Sequence, residues 1–156
     1  AWEQARAVGQ KLSVKPVEIL PAVERLEAEL AQTKLRTQEL EEDLFAHIAR
    51  QHAGAGDTLL IRPPMRPDRA RRLADTVARS CGALAAVFAG EGDSYVYALV
   101  RADGADIAPL VKAMNQSLHG RGGGRGGFAQ GSVQASSEEI AAFFHNQKEE
   151  HPCATT

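Results

Sequence analysis

The chain has 156 residues, 44% of them hydrophobic and 24% charged, with a formal net charge of −2. These fractions are near the soluble-globular average and suit one small domain with an appended element. A membrane span needs an apolar run of about 18 residues and a signal peptide needs a charged-then-apolar leader; the sequence carries neither pattern.

Residues 1–12 form a short helical pattern with Ala5, Val8 and Leu12 on one side. Ser13 and Pro16 read as a stop followed by a start. Pro21 suits the start of a second helix, and nothing breaks that helix before about Ala53. At 1.5 Å per residue it would extend roughly 48 Å. Val23, Leu26, Leu30, Leu40, Leu44 and Ile48 follow a seven-residue repeat, with Thr33 and Thr37 filling the middle of the seam. One helix cannot bury that seam alone. Residues 1–53 therefore predict a helical, coiled-coil-like arm that pairs with the short first helix, with a second copy of itself, or with an upstream domain. Glu39 to Asp43 reads as a solvated acidic face.

Gly54 and Gly56 end the helix, and the period changes. Thr58 to Arg62 predicts a buried strand between Gly-Asp and Pro-Pro. Pro67 and Asp68 open a helix with Leu73, Ala74, Val77 and Ala78 inward, and Gly82 closes it. Ala83 to Ala89 is a second strand, Gly90 to Asp93 a hairpin turn, and Tyr95 to Ala102 a third strand. Ile107 to His119 is a helix with Val111, Met114 and Leu118 inward. A glycine-dense loop follows, then a fourth strand from Phe128 to Ala135. Ser136 to Glu139 is a capping-type helix start, and Ile140, Phe143 and Phe144 pack that helix down. The prediction is an α/β (α+β) fold: a long arm, then a β-α-β-β-α-β-α domain over 57–148, then a polar, mobile tail over 149–156.

Charge is uneven along the chain: net −2 over residues 1–53, +3 over 54–135 and −3 over 136–156. The basic middle permits a polyanion partner. Half of the 14 glycines fall between Gly120 and Gly131. Glycine reaches positive φ and lets backbone N–H groups approach a ligand, and successive N–H groups can form an anion-binding concavity. Arg121 and Arg125 add forked donors suited to phosphate. The alternative is a tight packing turn with two solvated arginines. The segment is not a Walker loop, because no Gly-Lys-Ser/Thr follows. Nor is it a dinucleotide fingerprint, because it precedes a strand.

Arg62, Arg66, Arg69, Arg71, Arg72 and Arg79 form a second basic cluster. It suits phosphate contacts, or else solubility and pairing with Asp68 and Asp75. Phe128 either stacks on an exposed base or packs inward. Asn115 and His119 suit a helix end or a polar ligand contact, and Cys81 reads as inert core. Two cysteines are too few for a disulfide framework, so the expectation is a reduced, cytoplasmic protein. The chain begins at Ala1, which suggests a piece of something longer. No nucleophile–base pair stands out, so no catalytic residue is assigned.

Gly122-Gly123-Gly124-Arg125 followed by Ala129-Gln130-Gly131 resembles the signature of the DHH-associated domain, in the C-Ala form found at the C-terminus of alanyl-tRNA synthetases. Leu12 to Pro16, Pro21 to Leu26, and Gln130 to Ala135 leading into Ile140 to Phe144 extend the likeness to long-form alanyl-tRNA editing proteins. The resemblance spans residues 1 to about 145. It implies a C-terminal piece that holds tRNA(Ala) and self-associates, while an absent zinc-dependent domain hydrolyses serine or glycine wrongly joined to that tRNA. The expected contacts are Arg121, Gly122, Gly123, Gly124, Arg125, Gln130, Arg62 and Arg66.

The zinc ligands of the editing proteins come as His-x-x-x-His and Cys-x-x-x-His pairs. His47 and His52 are five apart, and His151 precedes Cys153 by two, so neither spacing is present. No metal or cofactor is therefore expected in this piece, although the parent would hold zinc. A related branch, the DHH phosphoesterases, has histidine where Arg125 stands, together with an Asp-His-His metal cluster that this chain lacks. The two alternatives are an oligomerisation module without RNA contact and a nucleic-acid-binding accessory domain of such a phosphoesterase.

Overall fold

The computed structural model describes residues 1–150, and side chains as far as residue 147. His151 and Cys153 lie outside the described residues. The chain divides into two compact units, residues 1–44 and residues 45 onward. The boundary falls inside a helix, nine residues before the expected end of the arm at residue 53.

The first unit is helical. Helix α1 runs Trp2–Leu12 and ends at Ser13, whose left-handed backbone (φ 56) closes the C-terminus onto the carbonyls of Gly9 and Gln10. A 3-10 turn, Pro16–Glu18, leads directly into helix α2, Ile19–Gln51. The Glu18 carboxylate accepts the Lys15 N–H at 3.1 Å and caps that turn. Pro21 therefore sits inside the first turn of α2 and does not start it. From Glu24 to Leu44 only Glu41 is even half-buried.

The second unit is a five-stranded sheet with helices on both faces. Its elements are β1 (Thr58–Arg62), α3 (Pro67–Cys81), β2 (Leu84–Glu91), β3 (Ser94–Arg101), α4 (Ala108–Ser117), β4 (Arg121–Arg125), β5 (Phe128–Gln134) and α5 (Ser137–Glu150). The strand order is β1-β2-β3-β5-β4. Only the β1–β2 pair, joined by the α3 crossover, is parallel. Alternation along the strands builds two cores. One face, with Phe88, Tyr97 and Leu99, packs on Val111 and Met114 of α4 and Ile140 of α5. The other, with Ala85, Val87 and Ala98, packs on Leu73, Ala74 and Val77 of α3 and on Phe45, Ile48 and Ala49 from the last turns of α2. The Ser80 hydroxyl ties α3 to α2 by donating to the Ala49 carbonyl at 2.7 Å.

The mixed α/β class and the arm-then-sheet order agree with the sequence reading, and the capping box at α5 is present. There the Ser136 N–H donates to the Glu139 carboxylate and the Glu139 N–H donates to the Ser136 hydroxyl. Two expectations are corrected. The glycine-dense segment is a strand, β4, and not a loop, so the domain has five strands. Helix α5 continues through Glu150, two residues into the expected tail; residues 151–156 lie outside the described residues.

Candidate nucleic-acid interface

Strand β4 is held by contacts that only glycine permits. A Cβ on Gly122 would stand 2.4 Å from the Gln130 carbonyl oxygen and 2.5 Å from the Tyr97 hydroxyl. One on Gly124 would stand 2.2 Å from the Phe128 oxygen, and one on Gly131 2.2 Å from the Arg121 oxygen. The β4 and β5 backbones therefore lie closer than side chains allow. Gly126 takes φ 59 at the first position of the two-residue turn, as tight hairpins require. The turn is pinned from outside, because its Gly126 and Gly127 carbonyls accept the Ile107 and Arg101 N–H groups at 2.9 and 2.7 Å. An extended strand points its N–H groups alternately to two sides. The expected concavity of successive N–H groups is therefore absent, and β4 is instead the edge strand of the sheet, paired with β5 alone.

Gly123 is the exception in this strand. A Cβ there meets nothing within 4 Å, and its φ is not left-handed. Packing does not demand glycine at that position. Gly123 lines an open groove of about 450 Å³ between β4 and α4, together with Gly120, Gly122, Gly124 and the α4 residues Ala108, Lys112, Asn115 and Gln116.

Asn115 is the bracket of this groove. Its amide nitrogen donates to the Gly122 carbonyl at 3.2 Å, its side-chain oxygen accepts the Tyr97 hydroxyl at 3.4 Å, and its backbone carbonyl accepts the Gly120 N–H at 2.8 Å. Burial pushes the Tyr97 hydroxyl above its ordinary value near 10.0, and the Asn115 amide pulls it back in part. Lys112 is exposed on the same helix face, one turn earlier. Sequence reading passed over Lys112 and Gln116. The available signal was their spacing from Ala108, which marks one α4 face just ahead of the glycines.

The arginines lie on the other side of the strand. Register opposes Arg121 to Ser132, Gly123 to Gln130 and Arg125 to Phe128, and directly opposed residues share a face. That is the α3 face of the sheet. Arg121, Arg125 and Gln130 are exposed there. Phe128 is half-buried, and the Arg71 guanidinium of α3 lies over its ring at 4.3 Å from the centroid. A base stacking on that ring face would have to displace Arg71.

Arg62 ends β1, at the opposite edge of the sheet from β4. Register nevertheless carries one row across all five strands, Arg62–Ala89–Val96–Ser132–Arg121. Four strand spacings put Arg62 and Arg121 roughly 19 Å apart on the same face. Arg66 is the N-cap residue of α3 and pairs with Asp68 at 3.2 Å in the open. The structure thus groups Arg121, Gly122 to Gly124, Arg125 and Gln130, and places Arg62 and Arg66 at a distance. Among the described residues, no three His, Cys, Asp or Glu side chains gather as metal ligands.

The model of the DHHA1 domain matches residues 58–150, which is the whole sheet with α3, α4 and α5. The chain belongs to the DHHA1 domain family. Two kinds of solved structure share its fold. The C-Ala domain of Aquifex aeolicus alanyl-tRNA synthetase aligns at 23% identity and a TM-score of 0.50, covering 60% of this chain and 89% of that one. Exonuclease RecJ bound to manganese aligns at 16% identity and a TM-score of 0.55, and RecJ from Thermus thermophilus in complex with Mg2+ at 18% and 0.54. Each covers 93% of this chain, which in turn spans only 44% and 27% of those exonuclease chains. No curated protein matches the sequence.

Proposed function

We propose that this DHHA1 domain grips the sugar-phosphate backbone of tRNA along β4, in support of an alanyl-tRNA editing activity on another domain. The observation that carries the proposal is the bare backbone at Gly123, beside Lys112 on one side and flanked by Arg121 and Arg125. A strand without side chains admits a polynucleotide to its free edge, and three cations stand around that edge. Neutralised phosphates release counterions, and each contact contributes about −0.7 to −0.9 to the log–log salt slope. Recognition of this kind follows shape and charge, with no base readout. The fragment itself breaks no bond in this reading; it raises the effective concentration of the charged tRNA end near a zinc-dependent editing domain, and such a tether is worth ~10² to 10⁴ in avidity.

A second role, pairing of the arm with another copy of the chain, is favoured by the exposed leucines of α2, Leu26, Leu30, Leu40 and Leu44. The test of the grip is binding to tRNA(Ala) across a salt series, beside Arg121→Ala/Arg125→Ala and Lys112→Ala. The expected result is weaker binding and a slope shallower by about one to two units in the double variant. Equal slopes for wild type and double variant would remove the grip. Preference for single-stranded DNA in the same assay would move the reading to an accessory domain of a phosphoesterase.

A further inference from the structure

We propose that residues 23–44 of α2 pair with the same segment of a second copy in parallel and in register, which rests on the self-association role above and specifies its geometry. The helix needs a cover. Leu26, Leu30, Leu40 and Leu44 are 47%, 54%, 60% and 46% exposed on one stripe. Nothing among the described residues covers that stripe. In proteins most helical stability comes from packing of the amphipathic face, and this stretch of α2 has none.

The charges beside the stripe choose the partner and its direction. With Val23, Leu30, Thr37 and Leu44 at the first seam position and Leu26, Thr33 and Leu40 at the fourth, the flanking positions hold Glu27, Lys34 and Glu41 on one side and Glu29, Arg36 and Asp43 on the other. In a parallel, in-register pair each flank meets the opposite flank five residues on. Glu29 then faces Lys34 and Arg36 faces Glu41, and each pair occurs twice. In an antiparallel pair centred on the same segment each flank meets itself. Lys34 then faces Lys34, Arg36 faces Arg36, Glu27 faces Glu41 and Glu29 faces Asp43, all of them like charges.

Sliding the antiparallel pair by one heptad restores attraction, but it opposes Leu26 to Thr37 and Leu30 to Thr33. The parallel pair sets leucine on leucine and threonine on threonine. The Thr37 hydroxyl already donates to the Thr33 carbonyl at 2.8 Å, so its proton enters the seam satisfied. Parallel pairing also brings the two Leu44 residues to about 10 Å. Both chains then leave the rod at the same end, and two β4 edges can engage one polyanion.

The experiment uses the full chain with Cys81→Ala and Cys153→Ser. Leu26→Cys and Leu40→Cys are introduced singly and oxidised mildly, and sedimentation reads the mass of each variant before oxidation. The expected result is a dimer in which each cysteine links to its own copy. A dimer without self-linking, with or without cross-linking between Leu26→Cys and Leu44→Cys chains, overturns the parallel geometry but leaves self-association standing. A monomer up to high concentration without oxidation removes both. A spin label at Ala28→Cys, away from the seam, repeats the readout without touching a leucine. The parallel pair holds the two labels level with each other across the rod, and the centred antiparallel pair adds an offset along the rod of roughly 20 Å and so a longer distance.

Discussion

Leu30 and Leu73 both occupy the apolar stripe of an amphipathic helix, yet Leu30 is 54% exposed and Leu73 fully enclosed. In the sheet domain the stripe of α3 meets β2 and β3 of its own chain, so packing finishes what propensity begins. In the arm, Leu26, Leu30, Leu40 and Leu44 of α2 are exposed, with nothing among the described residues covering them. Its helix rests on good helix formers and on local bonds such as Gln38 to Glu42, until another surface arrives. The difference shows that a hydrophobic pattern fixes an element, while its partner fixes how much that element contributes to stability.

The largest expected effect tests this contrast directly. Leu73→Ala should cost about 2 to 5 kcal/mol in urea unfolding, because it empties a closed site. Leu35→Ala, on an exposed position of α2 away from the seam, should stay within about 0.5 kcal/mol. Equal costs would mean that Leu35 too is enclosed, on a face of α2 away from the seam.

An intermediate effect separates two neighbouring glycines. Gly124→Ala pushes a Cβ to 2.2 Å from the Phe128 oxygen and must move β4 away from β5. Overpacking of this sort costs about 1 to 3 kcal/mol. Gly123→Ala has open space and should leave the melting temperature nearly unchanged while weakening polyanion binding. A Gly123→Ala protein that binds as wild type would show that nothing approaches the strand there.

The smallest effect is one of pH. Because burial raises the Tyr97 pKa, the unfolded chain loses that proton first as pH rises above about 10. The folded state then holds the extra proton, and stability falls with rising pH. Below pH 10 the contribution is fully present. Tyr97→Phe should flatten this alkaline fall in thermal melts and leave the neutral-pH slope as it is. An unchanged alkaline slope would show that Tyr97 is not the group responsible.

Much of the domain was legible because its signals are local. Gly82 and Gly92 take left-handed φ at the end of α3 and in the β2–β3 turn, as their neighbours imply. The box at Ser136 and Glu139 is present. Strand β4 was not legible. Arg-Gly-Gly-Gly-Arg has neither alternation nor β-branched residues, and its pairing is decided by close approach to Gly131 across the hairpin and to Tyr97, which lies farther back in the chain. The separation of Arg62 from Arg121 follows from strand order, which no local pattern encodes. Lys112 carries no local signal, and it joins the groove only because β4 lies beside α4. Conversely, Ile48 reads as a continuation of the arm's seam, but together with Phe45 it belongs to the core under α3.

An edge strand of bare backbone also bears on solubility. Unpaired N–H and C=O groups in a row are a template for any passing strand, including the same edge of another copy. Here the exposed stretch is only Arg121–Arg125. Two such edges meeting antiparallel would bring Arg121 of each against Arg125 of the other. Like charges would oppose at both ends, and the glycines between would offer no side chains to interlock. The arginines that suit the strand to a polyanion thereby also guard it against its own kind.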